Sequence, residues 1–158
     1  MNKYYDLEIN ILSCLLQKPE LMQKLILEDK HFVKNQRLWQ FMKAFYKKFN
    51  TFDIPLMYSV CKDKFKLVMY FEWLVDVIPA PSLFQKYQEQ LIELYEQTRK
   101  EKWIKEKLFE LANDLYVGNV ELKNYIENIN DIFKNAKKIF KGEEKEWKYF
   151  IKKIILKK

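Results

Sequence analysis

Apolar residues recur every three or four positions along most of this chain, the spacing that places them on one side of an α-helix. The two longest stripes lie within residues 84–115 and 122–139. Gly118 lies in the short link between them, where a residue that tolerates positive φ lets a helix end and the chain reverse. The pattern predicts an antiparallel helical hairpin over residues 82–141, with Asn119 as the N-cap of the returning helix.

Two amphipathic helices cannot bury both stripes against each other alone. The remaining surface can be covered by the rest of this chain, as ordinary core, or by a second copy of the chain. Both alternatives stay open at this point. If a second copy covers it, the self-association residues are Leu108, Leu111, Leu115, Leu122, Ile126, Ile129 and Phe133.

Shorter periodic segments before the hairpin predict a compact multi-helix head over residues 1–81. The predicted helices are Tyr5–Gln17, Glu20–Leu27, Asn35–Phe49, a fourth with Asp53 as its N-cap, and a buried helix over Leu67–Ile78. Pro19 suits the first turn of the second helix. The run Pro79-Ala80-Pro81 ends the last one, because the residue before a proline is pushed away from the α region. Ser82 is then the expected cap of the long hairpin arm.

The inward sides of the two shortest head helices follow from the same spacing. The expected inward residues are Leu21, Leu25 and Ile26 in the second helix and Leu56 and Val60 in the fourth, with Cys61 as a further candidate.

Residues 142–158 predict a basic amphipathic helix, with Gly142 ending the helix before it. Its apolar side can fold back on its own domain, dock on another protein or lie on a membrane surface. The membrane hypothesis is the weakest, because Glu143, Glu144 and Glu146 place three carboxylates beside the helix. For docking, the expected contact residues are Trp147, Lys148, Phe150, Ile151, Lys152 and Ile154.

The charge distribution separates this last segment from the rest. The 158 residues carry a net charge of +7. Residues 134–158 hold ten of the 29 basic and three of the 22 acidic residues, so the nineteen of each sign in residues 1–133 cancel. Non-specific attraction to nucleic acid is therefore expected only of the tail, residues 134–158. A lysine-rich helix face is, however, commonly just solvated.

The residue types that carry most enzyme chemistry are scarce. The two glycines, Gly118 and Gly142, cannot form a phosphate-binding glycine loop. Cys14 and Cys61 lie far apart and are expected to be buried thiols, and His31 is expected to be a satisfied or surface histidine. We therefore expect no catalytic residues, no cofactor and no metal site. Neither a secretory signal nor a membrane span is indicated, so a cytosolic location is the default.

The order of short segments resembles the N-terminal domain of DnaB-type replicative helicases. Glu8-Ile9-Asn10-Ile11-Leu12-Ser13-Cys14-Leu15-Leu16 followed by Pro19-Glu20 is similar to that family's "xVLGxLLxxPE" helix. His31-Phe32, Arg37-Leu38-Trp39-Gln40-Phe41-Met42 and Phe52-Asp53 follow in the family's order, and Ala112-Asn113 matches the stretch before its hairpin turn. Ser13 stands where the family commonly has glycine, and no counterpart of the ATPase motor is present in these residues.

The resemblance implies a non-catalytic oligomerisation and docking domain of DNA replication. In the family, hairpins pair between subunits into dimers and then a collar above the hexameric motor, and the collar docks primase and, in some systems, a loader. The segment 142–158 corresponds to the linker helix that packs on a neighbouring motor domain, which makes docking the preferred interpretation of the tail. Two alternatives are a stand-alone phage or mobile-element protein that modulates a host helicase, primase or loader, and a nucleic-acid adaptor using the lysine-rich tail.

Overall fold

The computed structural model describes residues 3–140, and within that range the chain is helical with no strand. The α-helices are α1 (Lys3–Gln17), α2 (Gln36–Phe49), α3 (Ile54–Cys61), α4 (Phe65–Val75), α5 (Phe84–Tyr116) and α6 (Leu122–Phe140). Short 3₁₀ helices cover Pro19–Lys24, Asp29–His31 and Pro81–Leu83. The all-helical prediction is confirmed, whereas the predicted helix over 142–158 lies outside the described residues.

The contacts divide the chain within α5. One unit ends at Tyr95 and the next begins at Glu96. Phe84 and Leu91 of α5 belong to the head's core. The first turns of α5 are therefore part of the head.

The centre of the head is α1. Eight of its fifteen residues are buried, and Ile11, Leu12 and Leu15 are completely inaccessible. Helices α2 and α4 add bulky side chains to this core, including Leu38, Met42, Phe71 and Leu74. Four bulky residues on one side of α2 are buried: Leu38, Trp39, Met42 and Phe45. Phe32 stacks on Trp39 with ring centroids 4.5 Å apart.

The face of α3 was predicted one position away from the observed one. Met57 and Cys61 are buried, whereas Leu56 and Val60 are 39% and 52% exposed. The sequence of α3, IPLMYSVC, is apolar on nearly every side, so the spacing alone cannot select the buried face. The predicted N-cap is confirmed, because the Asp53 carboxylate accepts a 2.8 Å hydrogen bond from the Leu56 N–H.

Three further predictions for the head are wrong, wholly or in part: those for the segment after Pro19, for α4 and for Ser82. Pro19–Lys24 is 3₁₀ rather than α, and Ile26 beyond it is 50% exposed instead of inward. The predicted buried helix α4 buries only Phe71 and Leu74, while Trp73 is 51% exposed. Ser82 lies inside the 3₁₀ turn before α5 and not at the start of that helix.

The turn after α5 shows why Gly118 is needed. Its φ is +81°, in the region that side chains with a Cβ rarely adopt. The Gly118 N–H bonds to the Leu115 carbonyl at 3.2 Å, and the Asn119 N–H bonds to the Asp114 carbonyl at 2.9 Å, which together end α5 in a Schellman motif. Asn119 therefore closes the outgoing helix. The prediction that it caps the returning helix is wrong, since α6 begins at Leu122.

A buried polar side chain ties α5 to the segment after Pro19. Gln88 is completely inaccessible; its Oε1 accepts from the Ile26 N–H at 2.8 Å and its Nε2 donates to the Lys24 carbonyl at 3.2 Å. This segment is not α-helical, so its backbone groups need partners of this kind.

Gln88→Leu is expected to destabilise the protein by about 1–3 kcal/mol, because it keeps the volume but leaves the two backbone groups unpaired. Urea denaturation followed by circular dichroism measures the change. Gln90→Leu, on an exposed position of the same helix, is the control and should change stability little. Equal effects of the two substitutions would contradict the tethering role.

Candidate interaction surface

In the described part of the second unit, residues 96–139, few side chains are buried. Ile104 of α5 and Ala136 of α6 are completely inaccessible and lie in one small cluster, with Trp103, Leu108 and Phe133 packed against it. Most other apolar residues of the two helices remain partly or fully exposed. Two helices with so small a shared core leave apolar surface available to a partner.

The structure divides the seven predicted self-association residues into two groups. Leu111 is 7% exposed, and Leu108, Leu115, Ile129 and Phe133 are partly buried within the chain itself. Leu122 and Ile126, one turn apart at the start of α6, are 69% and 63% exposed. Only these last two present most of their apolar surface to solvent.

A second exposed apolar pair escaped the sequence analysis. Phe109 is 76% and Tyr116 is 90% exposed. They are seven residues apart on α5, so they lie on the same side of that helix, away from the side that carries Ile104 and Leu111. Their i, i+7 spacing in the sequence could have identified this pair. The longer apolar stripe through Ile104 and Leu111 made that spacing easy to overlook.

The head also exposes apolar side chains, along α4 and the segment after it. Trp73 is 51% and Ile78 is 93% exposed. A shallow cleft of about 210 Å³ adjoins this surface and is lined by Ser13, Leu16, Ile54 and Ile78 among others. The Ser13 hydroxyl donates to the Val77 carbonyl at 3.0 Å, so it fixes the chain after α4 against α1.

The six tail residues predicted for partner docking, Trp147, Lys148, Phe150, Ile151, Lys152 and Ile154, lie outside the described part of the chain. Within residues 3–140, no helix has the length and apolar character needed to span a bilayer. In the same range, no three His, Cys, Asp or Glu side chains form a group that could hold a metal ion.

The single histidine and both cysteines have the surroundings expected from the sequence. His31 is 5% exposed, its Nδ1 accepts a 2.9 Å hydrogen bond from the Glu28 N–H, and its ring meets the edge of Tyr95. Cys14 and Cys61 are free and buried. Burial raises the pKa of the Cys14 thiol to about 11, so this sulfur is protonated and weakly nucleophilic at neutral pH.

Glu8 is one of the buried polar residues that the sequence analysis missed. It lies in α1 and is completely inaccessible, and its carboxylate accepts hydrogen bonds from the N–H groups of Lys34 (3.0 Å) and Asn35 (3.1 Å). Desolvation raises the pKa of this carboxyl to about 7, against the smaller opposing effects of the two hydrogen bonds and Lys34. A glutamate in an amphipathic helix is normally exposed, and nothing in the spacing marks this one as buried.

Comparisons with known proteins find no relative. No protein-family model matches the chain, and neither do any curated protein sequences or solved structures.

The buried Glu8 makes stability depend on pH. Its pKa is higher in the folded than in the unfolded chain, so folding takes up a proton between about pH 4.5 and pH 7, and stability from this group falls as pH rises through that window. Glu8→Gln removes the ionisation and keeps an acceptor oxygen for the two N–H groups. The variant should gain about 2–3 kcal/mol relative to the wild type between pH 5 and pH 8.

Urea denaturation of both proteins at the two pH values measures this difference. Carboxyl groups elsewhere affect the two proteins alike, so the comparison isolates Glu8. A difference in unfolding free energy that is the same at pH 5 and pH 8 would show that Glu8 is not protonated on folding.

Proposed function

We propose that this protein is a non-catalytic oligomerisation and partner-docking domain of DNA replication, similar to the N-terminal collar domain of DnaB-type helicases. The replication role is supported by the short sequence segments between Glu8 and Asn113, which follow the same order as in the helicase family. The exposed Leu122–Ile126 pair on α6 supports self-association and is the observation that carries the proposal. In this hypothesis, α5 and α6 act as an antiparallel hairpin that pairs with a second copy, as hairpins do in the helicase family.

The energetics favour a contact of this kind. Full burial of a leucine or isoleucine side chain contributes about 1.5–3 kcal/mol, and a symmetric dimer would bury each of the two residues twice. Leu111 and Ile129 are poorer probes of the interface, because Leu111 is already buried in its own chain and its replacement would disturb folding.

Leu122→Asp with Ile126→Asp is expected to convert the self-associated protein into a folded monomer, because it places two charges in the apolar contact. Multi-angle light scattering after gel filtration measures the mass. We expect the association constant to fall by roughly a thousandfold or more, because the symmetric contact loses four buried apolar side chains, two from each copy.

The matched control is Asn124→Asp with Asn135→Asp, which adds the same charge on the opposite side of α6 at exposed positions. The control should keep the mass of the wild type. A wild-type protein that is monomeric at high concentration, or a mass that the aspartate pair at 122 and 126 leaves unchanged, would contradict self-association through this face.

The docking part of the proposal assigns partner contact to the tail, with primase, a helicase loader or a neighbouring helicase motor domain as partner. Trp147→Ala with Ile151→Ala should weaken binding to the purified partner by at least about tenfold, because both side chains lie on the predicted apolar side and interface aromatics contribute strongly. Fluorescence anisotropy of the labelled chain measures the binding.

Lys157→Ala with Lys158→Ala is the control for general charge effects and should bind nearly as the wild type does. The tail substitutions should leave the light-scattering mass unchanged, which separates docking from self-association. Failure of the wild-type chain to bind primase, loader and motor domain alike would contradict the docking role and would leave the dimer test unaffected.

A further inference from the structure

The head has a cavity of about 380 Å³ at the N-terminus of α2. Residues 33–38 form one side of it, and Lys66 and Tyr70 of α4 form the other. Three of the lining residues are cationic, Lys34, Arg37 and Lys66, and no carboxylate is among them. All of the residues that line this cavity belong to the head.

The backbone at this point offers unpaired donors. Asn35 is the N-cap residue of α2, a helix of fourteen residues, and its side chain makes no capping hydrogen bond. The first backbone hydrogen bond of α2 is donated by the Trp39 N–H to the Asn35 carbonyl, at 2.9 Å. The N–H groups of residues 36–38 are thus the free positive end of the helix, the arrangement that attracts anions.

A buried amide provides an independent indication that a ligand belongs here. Asn35 lines the cavity and is 6% exposed, and its Nδ2 has no hydrogen-bond partner. It is the single buried side-chain nitrogen or oxygen left unpaired in the described part of the chain. Such a group costs free energy unless an acceptor reaches it, and an anion at the helix N-terminus would supply that acceptor.

The charges around the cavity agree with an anionic ligand. Arg37 and Lys66 are exposed, and within the described residues neither forms a salt bridge. The nearest acidic group known to contact this segment is Glu8, which accepts from the N–H groups of Lys34 and Asn35. With its pKa raised to about 7 by burial, Glu8 is about half ionised at neutral pH and mostly protonated near pH 6, so its repulsion of an anion weakens as the pH falls.

We propose that this cavity binds a phosphate group, held by the N–H groups of residues 36–38, the Asn35 amide, and the side chains of Arg37 and Lys66. Three cations and several donors suit a phosphate group better than a carboxylate, because phosphate presents more acceptor oxygens. The volume exceeds what one phosphate needs, so the rest of a phosphorylated molecule can extend past Tyr70. The phosphate comes from a free phosphorylated ligand or from a nucleic-acid backbone.

Amide NMR of the full chain in phosphate-free buffer tests the site. Titration with pyrophosphate, and separately with a single-stranded oligothymidylate, should shift the side-chain amide of Asn35 and the backbone amides of residues 36–38 until they saturate. Saturation with pyrophosphate identifies a site for free phosphorylated ligands, whereas saturation with the oligonucleotide alone identifies a backbone-phosphate site. Either result supports the proposal.

Arg37→Glu with Lys66→Glu should weaken this binding by about tenfold or more, because two charge-assisted contacts become repulsive. Lys18→Glu with Lys86→Glu makes the same charge change at exposed positions of the head outside the cavity and should leave the binding close to that of the wild type. Equal weakening by both pairs, or shifts that are spread over the surface lysines and do not saturate near Asn35, would overturn the proposal. So would the absence of any shift with either ligand.

Discussion

In the described part of the second unit, α6 and the adjoining part of α5 share few buried apolar side chains, and this limits how far their own packing can stabilise them. Among the described residues from Glu96 onward, Ile104, Leu111 and Ala136 are the buried apolar side chains, too few to hold two helices of this length in a stable arrangement by themselves. Isolated helices gain little from propensity and depend on tertiary packing for their stability. The stability of α6 and the outer part of α5 therefore depends on covering the apolar side chains that remain exposed, and self-association is one way to cover them.

In the head, the backbone N–H and carbonyl groups of the segments outside the α-helices need hydrogen-bond partners. Between α1 and α2 the chain runs for eighteen residues with only short 3₁₀ helices, so many of its N–H and carbonyl groups lack partners within an α-helix. Side chains from distant helices supply them: Glu8 of α1 accepts from Lys34 and Asn35, and Gln88 of α5 bonds to Lys24 and Ile26. Polar residues are buried here because the connecting chain requires them.

The same division explains what could be predicted from the sequence. The α-helices were found because amphipathic spacing is a local signal, and Asp53 and Gly118 were found because caps and positive-φ turns act on their own neighbours. The buried face of α3 was missed because Leu56 and Met57 are equally apolar. Glu8 and the Asn35 cavity were missed because their roles arise from contacts between α1 and the start of α2, which are 26 residues or more apart in the chain.

Net charge shows the limit of composition as a guide to binding. The excess of +7 lies entirely within residues 134–158, and residues 1–133 are neutral in sum, so composition directs any search for an anion site to the tail. Yet the strongest structural indication of anion binding is in the head, where Arg37 and Lys66 line a cavity with free N–H groups and an unpaired amide. Specific binding of a phosphate depends on local geometry and desolvation, because salt largely screens exposed charges that are separated by more than a Debye length of about 8–10 Å. A head whose charges nearly balance, with 13 basic and 11 acidic residues among residues 1–95, can therefore hold a specific phosphate site.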